Sequence, residues 1–331
     1  MNISEIAKMA GVSSAAVSRY FNNGYISDEK KERIRKVVEE TGYRPSVQAQ
    51  TLRTKKTKMI GVILPKINSS SIGSVVAGIH TVLNESGYQL LLADTQNDPE
   101  KELEYLTVFN DKQVDGIIFI ATVFSAKHKR ILKELTVPVV IVGQRLSGYP
   151  CVYHDDYHSI YDITEMLIKN GCRNLGYVGV FHQDKAVGTE RYEGFRKALL
   201  DHDLEFQEKN TIIADFTIQS GYVKTKELWE KYGPFDGLVC ATDNLAVGAL
   251  KYFREKKIDS PGQLKLTGHG DSSMSEVTIP TLSSIHYSYD RSGEIAANIL
   301  LATLAGQEIS VREMKLGYQL VVRESTAAGL S

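Results

Sequence analysis

Cysteine is scarce in this sequence, and long apolar runs are absent from it. The three cysteines, Cys151, Cys172 and Cys240, lie far apart and form no CxxC pair. This excludes a disulfide framework and indicates reduced thiols without metal-site spacing. No run approaches the roughly 18 uninterrupted apolar residues of a membrane helix. Because Glu5 and Lys8 interrupt the first residues, the N-terminus is not typical of a secretory signal, and we expect a cytoplasmic protein with no membrane partner.

Sequence motifs of the common enzyme classes are also missing. The chain contains no HExxH, no GxSxG and no GxxxxGK[ST], and no GxGxxG follows the first apolar strand candidate. The triplet His154-Asp155-Asp156 could suggest metal or acid–base chemistry, but adjacent carboxylates point in different directions and do not pair on one substrate. We therefore expect no catalytic residue, no metal and no cofactor. A sugar-binding enzyme is the least favoured alternative.

Charge is unevenly distributed along the 331 residues. Residues 1–58 contain twelve Lys or Arg and six Asp or Glu, a net charge of +6, whereas the remainder carries −7. The hydrophobic fraction of 42% and the charged fraction of 24% are those of an ordinary globular protein, and the length predicts two or three domains. A small basic head on an acidic body suggests a polyanion-binding module joined to another domain, with a solvated charged helix as the alternative.

Capping residues divide the basic head into three short helices. Asn2 and Glu5 form a capping-box pattern before a first helix that Gly11 ends. Ser13 is a suitable N-cap for a second helix, and Ser27 for a third. The turn of three or four residues between the first two helices is typical of a helix-turn-helix.

The second helix of the head predicts contacts to DNA. In a helix-turn-helix the first residues of this helix face base edges in the major groove. Arg19 can donate two hydrogen bonds to a guanine, with a phosphate contact as the alternative, while the small Ser14 and Ala15 allow close approach. The predicted DNA-binding residues of the head are Ser13, Ser14, Ala15, Ser18, Arg19, Asn22 and Tyr43.

A segment without acidic residues connects the head to the body. No Asp or Glu occurs from residue 41 to 84, and Pro45 can begin a short helix in which Val47, Ala49 and Leu52 supply few apolar contacts. A helix this short is unstable alone in water. We therefore expect this segment to be disordered in the free protein and to fold against a partner, with a plain interdomain linker as the alternative.

Two runs of the sequence carry a family resemblance. ISEIAKMAGVSSAAVSRYFNN and GYRPSVQAQTLRTKKTKMIGVILP resemble the lactose-repressor/galactose-repressor family of bacterial transcription regulators, and the likeness extends over essentially the whole chain. Within the family the chain is most similar to sucrose-operon repressors of Gram-positive bacteria, through NNGYIS, VIVGQ, HDDY, AVGTERYEG, ATDNLAVG and TGHGD. The resemblance implies a hinge helix from residue 46 to 52, in which Leu52 wedges into the minor groove. The DNA-binding residues that it implies here are Pro45, Ala49, Leu52 and Arg53.

Apolar strands alternate with amphipathic segments after residue 58. Strand candidates lie at residues 59–65, 88–95, 116–121, 138–143, 174–180, 211–216, 237–243 and 264–270. Such unbroken strands separated by helical segments indicate parallel sheets covered on both faces, and a break near residues 151–160 suggests two lobes. We expect an α/β chain with an N-terminal three-helix helix-turn-helix head and hinge helix, followed by a two-lobed body of parallel sheets. The family likeness implies that this body is periplasmic-binding-protein-like.

These expectations give three domains. The helix-turn-helix DNA-binding domain spans residues 1–44, the hinge helix and linker 45–58, and the effector-binding and dimerisation domain 59–331. The family likeness implies that the chain crosses three times between the lobes. Lobe one then comprises about 59–157 and 289–316, and lobe two about 158–288 and 317–331.

Polar and aromatic side chains at the ends of the predicted strands are candidates for ligand binding. Ligands of open α/β sheets bind at the carboxyl ends of strands, where hydroxyl and charged groups can bond a sugar and aromatic faces can cover it. For each polar residue a helix cap or solvated loop is the alternative, and for Asp243 the helix cap is favoured. The predicted effector-binding residues are Ser69, Ser71, Ile72, Gln144, His154, Asp155, Arg191, Phe216, Thr242, Asp243, Asp271, Tyr287 and Tyr289.

One position departs from the family pattern. Many relatives carry an acidic residue that grips sugar hydroxyls where this chain has Gly270, within Gly268-His269-Gly270-Asp271. The grip is then either lost at Gly270 or moved to Asp271.

Together these features predict a sequence-specific DNA-binding transcriptional regulator. We expect a homodimer on a pseudo-palindromic double-stranded operator. It would repress a sugar-utilisation operon, for sucrose or a related sugar, and be released by a small sugar or sugar phosphate in the cleft. A catabolite-control regulator with a phosphorylated carrier protein as corepressor is the alternative. The sequence leaves open whether the effector releases or promotes DNA binding.

Overall fold

A computed structural model of the chain describes residues 1–22, 24–43, 56–111, 114–308 and 312–327. The chain divides into two compact units, residues 1–58 and 59–331. The DNA-binding residues predicted for the hinge, Pro45, Ala49, Leu52 and Arg53, lie outside the described residues. The hinge helix therefore stays a prediction.

Three helices form the first unit, and local capping signals fix their ends. They are α1 (Ile3–Ala10), α2 (Ser14–Phe21) and α3 (Asp28–Thr41). Asn2 and Glu5 make both hydrogen bonds of a capping box, and Gly11 ends α1 with a left-handed φ of 60°, which only glycine adopts without strain. The Ser13 hydroxyl accepts from the Ala16 N–H to begin α2. The predicted helix-turn-helix is confirmed.

The core of the first unit is small. Ile6, Val17 and Ile34, one from each helix, are fully buried together with a few neighbouring apolar side chains. A core of this size gives limited stability on its own. It leaves the first turn of α2 exposed, at Ser13, Ser14, Ala15 and one turn on at Arg19, as a DNA-reading helix requires.

The second unit alternates strands and helices. Its strands are β1 (Met59–Leu64), β2 (Gln89–Asp94), β3 (Gly116–Ile120), β4 (Val139–Val142), β5 (Cys151–His154), β6 (Leu175–Gly179), β7 (Thr211–Ile213), β8 (Gly237–Cys240), β9 (Lys265–Thr267), β10 (Ser284–His286), β11 (Glu313–Leu316) and β12 (Gln319–Val321). Its α-helices are α4 (Ser70–Glu85), α5 (Pro99–Asn110), α6 (Ala126–Glu134), α7 (Asp156–Lys169), α8 (Arg191–Asp201), α9 (Ile218–Tyr232), α10 (Asp243–Glu255), α11 (Ser273–Val277) and α12 (Tyr289–Leu304). A π-helix, Lys185–Glu190, runs directly into α8, and a short 3₁₀-helix, Glu208–Asn210, precedes β7.

Two parallel sheets divide this unit into lobes. Lobe one is built on the six-stranded order β11-β5-β4-β3-β1-β2, and lobe two on the four-stranded order β7-β6-β8-β9. Every pairing within these two sheets is parallel, and a separate antiparallel pair joins β10 to β12. Apolar clusters cover both faces of the larger sheet, which explains why its central strands are apolar without interruption. The predicted α/β fold with parallel sheets in two lobes is confirmed.

The chain passes three times between the lobes. It leaves lobe one between β5 and α7, returns between β10 and α12, and leaves again between β11 and β12.

In lobe one, α4 and α12 pack closely because glycines replace side chains at their contact. A Cβ on Gly78 would overlap the Asp290 carbonyl, and one on Gly293 would overlap the Val75 carbonyl. The three cysteines are free and buried.

Four strands were not among the sequence candidates. These are β5, β10, β11 and β12, each of three or four residues. In β11 and β12 no residue is buried, and strands of three or four residues are too short to show a clear periodic pattern. These segments become strands because they pair with strands elsewhere in the chain: β11 pairs with β5, and β12 pairs with β10.

Candidate functional site

A cavity of about 240 Å³ lies between the two lobes of the second unit, at the carboxyl ends of the strands. Its walls include the residues that follow β1, β4 and β5 of lobe one and β6, β8 and β9 of lobe two. This is the position at which open α/β sheets bind ligands. The predicted residues that line it are Ser69, Ser71, Ile72, Gln144, His154, Arg191, Phe216, Thr242, Asp243, Tyr287 and Tyr289.

Two predicted residues do not line the cavity. Asp155 caps α7 through the His158 N–H and accepts from Lys315 Nζ at 2.8 Å. Asp271 bonds Arg323 Nη1 at 2.7 Å and His286 Nδ1 at 3.0 Å. Both carboxylates are thus engaged in ion pairs elsewhere. Gly270 lines the cavity, whereas Asp271 does not.

An ion pair forms one wall of the cavity. Arg191, the first residue of α8, donates to Asp156 Oδ1 from Nε at 2.7 Å and from Nη2 at 2.6 Å. It also donates from Nη1 to the Ala241 carbonyl, and the Asp156 and Arg191 side chains are 7% and 5% exposed. Burial disfavours the charged guanidinium, but the Asp156 carboxylate outweighs it and raises the pKa of Arg191. The Arg191 guanidinium therefore stays charged at neutral pH.

Aromatic rings connect the Arg191–Asp156 ion pair to the segments after β5 and β10, where the chain passes between the lobes. His154, at the end of β5, stacks on Tyr287 with ring centroids 4.3 Å apart and meets Tyr289 edge-on at 5.3 Å. The Tyr287 hydroxyl lies 3.2 Å from Asp156 Oδ1 and 2.7 Å from Ser159 Oγ, and His269 Nε2 lies 3.0 Å from it. Burial lowers the pKa of His154 to about 4, so the ring is neutral.

Three polar atoms in this wall are buried without a partner among the described residues. They are His154 Nε2, His269 Nδ1 and Ser272 Oγ, and all three residues line the cavity. Burial lowers the pKa of His269 as well, so each imidazole is neutral. An unsatisfied buried polar group costs about 1–3 kcal/mol.

Asp243 is not the cap of α10, which corrects one sequence expectation. Thr242 is the N-cap and accepts from the Leu245 N–H at 3.3 Å. Asp243 instead accepts from the Ser284 hydroxyl at 2.6 Å and the Ser272 N–H at 2.6 Å, and burial raises its pKa. A side chain at Gly270 would lie beside this carboxylate and the Tyr289 hydroxyl, so the glycine leaves that part of the cavity open.

Asp156, Asp184 and His269 line the cavity but were not predicted. The sequence predicted Asp155 as the cavity residue, but Asp155 caps α7. The adjacent Asp156, the first residue of that helix, lines the cavity instead. Asp184 follows β6 and caps the π-helix before Arg191. The sequence signal that could have identified Asp184 as a cavity residue is its position after the carboxyl end of the apolar strand β6. Burial raises the pKa of Asp184 to about 6, and the Asp156 charge adds to this.

The described residues carry no sign of two other kinds of site. No helix within them is long and apolar enough to cross a bilayer. No group of three or more His, Cys, Asp or Glu side chains within those ranges could hold a metal ion.

Comparisons with known proteins identify relatives of both units. The model of the lacI family of bacterial regulatory proteins matches residues 2–46, and that of the periplasmic binding protein-like domain matches residues 164–326. The chain is similar to the sucrose operon repressor of Staphylococcus xylosus, with 33% identity over 94% of this chain and 96% of that protein.

Solved structures agree with this assignment. A transcriptional regulator CelR–cellobiose complex is 25% identical, with a TM-score of 0.76 over 98% of this chain and 99% of the other. A lac repressor dimer bound to operator and an anti-inducer is 20% identical, with a TM-score of 0.91 over 99% of both chains, which shows the shared fold.

Proposed function

Because the chain belongs to the lacI family of bacterial regulatory proteins and is a DNA-binding transcriptional repressor, we propose that it represses a sugar-utilisation operon and responds to a small sugar in the interlobe cavity. Sucrose or a related sugar is the proposed effector. The observation that carries the proposal is the position of this cavity at the carboxyl ends of the strands of both lobes, with the polar residues His154, His269 and Ser272 in its wall. A sugar hydroxyl both donates and accepts hydrogen bonds, so it suits a wall of polar side chains.

The remaining walls of the cavity also suit a sugar. Arg191 and Asp243 place a guanidinium and a carboxylate where charge-assisted hydrogen bonds to hydroxyls can form, and Phe216 and Tyr289 offer ring faces to apolar sugar surfaces. Ser69 and Ser71 add hydroxyls on the lobe-one side, 3.0 Å apart. Similarity to a sucrose operon repressor supports sucrose as the first sugar to test.

On the DNA side, we propose that a homodimer presents two copies of α2 to a pseudo-palindromic operator. The exposed Ser14, Ala15 and Arg19 would read base edges, and the hinge residues Ala49 and Leu52 would enter the minor groove. The dimer described for the lac repressor on its operator supports this arrangement. The effector can alter DNA affinity only through its different affinity for the two arrangements of the lobes.

The decisive experiment titrates purified full-length protein against its own upstream DNA at several salt concentrations. Sucrose, fructose, their phosphates and a phosphorylated carrier protein are added in separate arms. We expect tight binding that falls steeply with salt because Lys and Arg displace counterions from phosphates, and release by sucrose. Tighter binding with the carrier protein and no response to sugar would favour a catabolite-control regulator, and unaltered binding in every arm would contradict the proposal.

The hinge is tested by Leu52→Ala. We expect operator affinity to fall by about tenfold or more because the minor-groove wedge is lost, while the dissociation constant for sugar is unchanged. The matched control is Leu200→Ala, which removes an exposed leucine of lobe two and should leave both constants unaltered. Equal operator affinity of the Leu52→Ala and wild-type proteins would remove Leu52 from the DNA contact.

A further inference from the structure

Gln144 and Asp184 meet across the cleft from opposite lobes. Gln144 follows β4 in lobe one, and Asp184 follows β6 in lobe two. Gln144 Nε2 donates to Asp184 Oδ1 at 3.1 Å and also to the Thr122 carbonyl within its own lobe. Gln144 is 4% exposed and Asp184 is 3% exposed. The contact is thus a buried, charge-assisted hydrogen bond of the stronger kind.

Asp184 is held rigidly by its own loop. Its side chain accepts from the Val187 N–H at 3.0 Å, and its carbonyl accepts from the N–H groups of Gly188 and Thr189 at 2.9 and 3.0 Å. The Thr189 hydroxyl donates back to the His182 carbonyl at 2.7 Å. The carboxylate therefore cannot follow Gln144 if the lobes move apart, and the hydrogen bond must break.

The same loop leads to the ion pair in the cavity wall. The π-helix that Asp184 caps ends at Glu190, and Arg191 follows as the first residue of α8. Gly188 lies against the Phe181 backbone so closely that a Cβ would overlap it, which fixes the π-helix to the end of β6. The Gln144–Asp184 contact and the Arg191 guanidinium in the cavity wall are therefore linked by one rigid segment of the chain, residues 184–191.

We propose that the Gln144–Asp184 hydrogen bond is a latch that holds the two lobes closed, so that both side chains act as positioning residues for the effector response. The inference rests on the proposed function, since a sugar that touches both lobes favours the closed arrangement. Removing the latch lowers the closed fraction of the free protein. Apparent sugar affinity then falls by the same factor, because binding must first restore closure.

The test measures lobe closure directly, without a ligand. Spin labels are attached at Lys101→Cys in lobe one and Lys226→Cys in lobe two, both exposed helix positions, while the native cysteines are buried. Interlobe distances are recorded at pH 7.5 by pulsed electron spin resonance of the full-length protein. Gln144→Leu should reduce the ratio of closed to open molecules about tenfold, as expected for the loss of a hydrogen bond to a charged group.

Two further variants separate a latch from a packing role. Gln144→Glu sets two carboxylates against each other and should open the cleft further than Gln144→Leu. Adding Asp184→Asn to Gln144→Glu exchanges the amide and the carboxylate, so closure should recover in part. Gln219→Leu, at an exposed position of α9, is the matched control and should leave the distances unaltered.

The outcomes decide the latch separately from the proposed function. Wild-type distances in Gln144→Leu and Gln144→Glu overturn the latch, as does an opening that the exchanged pair does not reverse. A second measurement titrates sucrose into wild type and Gln144→Leu. Sucrose affinity that falls by the same factor as the closed fraction of the free protein supports the inference. Sucrose binding that is equal in the two proteins overturns the link to the effector, whereas no binding by wild type counts against the proposed sugar and leaves the distance result standing.

Discussion

The buried ion pair of Arg191 and Asp156 allows a quantitative prediction about stability. Arg191→Met leaves the Asp156 carboxylate in a wall where it is 7% exposed, with the Tyr287 hydroxyl at 3.2 Å as a remaining partner. Removing one member of a buried pair costs about 3–5 kcal/mol because the other charge stays desolvated. We therefore expect Arg191→Met to lower the free energy of unfolding by about this amount.

The double variant Arg191→Met/Asp156→Asn distinguishes charge from packing. With both charges gone, the penalty should fall below about 2 kcal/mol, because replacing a whole buried pair is often nearly neutral. The exposed pair of Arg291 and Glu294, 63% and 31% exposed, supplies the control. Arg291→Met should cost no more than about 1 kcal/mol.

The assay is urea unfolding of the ligand-free, full-length protein at pH 7, followed by circular dichroism. If Arg191→Met and Arg291→Met lose similar stability, the carboxylate of Asp156 is hydrated and the buried pair is not what holds this wall. If the double variant is no more stable than Arg191→Met, the loss comes from packing and the electrostatic reasoning is refuted.

Two other perturbations follow from single side chains. Burial raises the pKa of Asp184 from 3.8 to about 6, so the native state takes up a proton that the unfolded state releases. The stability of wild type relative to Asp184→Asn should therefore rise by about 2 kcal/mol as pH falls from 7 to 4.5, and a difference that stays constant in urea unfolding between these two pH values would contradict this. Ser13→Ala removes the hydroxyl that caps α2 and should destabilise that helix by about 1 kcal/mol, seen as faster amide exchange at residues 14–21. Ser27, at the start of α3, makes no side-chain cap bond, so Ser27→Ala should leave amide exchange in α3 unaltered. If each variant speeds exchange equally in its own helix, side-chain capping is not the cause.

Local signals made the first unit predictable from sequence. Asn2, Glu5, Gly11 and Ser13 act within one helical turn of where they stand in the chain, so their pattern can be read without knowing the fold. The apolar central strands of the body were found for a similar reason, because burial on both faces leaves a continuous signature. The short strand β11 has no such signature, since its residues become a strand only by pairing with β5, some 160 positions earlier.

The cavity was predictable in position and less so in detail. Strand ends located most of its walls, including Arg191 and His154. Which of two adjacent carboxylates faces inward depends on the residue that begins α7, and Asp155 was chosen where Asp156 lines the cavity. The partner of Asp271 is Arg323, 52 positions away. Such long-range ion pairs decide which side chains remain for a ligand, and one sequence does not reveal them.

The late strands β11 and β12 have a consequence for synthesis on the ribosome. The sheet order leaves β5 without its outer neighbour until residues 313–316 have been made, and β10 lacks its partner until residues 319–321 follow. Neither lobe can therefore be completed before these residues have been synthesised, and until then β5 presents an open edge of unpaired N–H and C=O groups. Because such an edge can pair with other chains, premature stop codons just before residue 313 should yield insoluble products rather than a smaller working repressor.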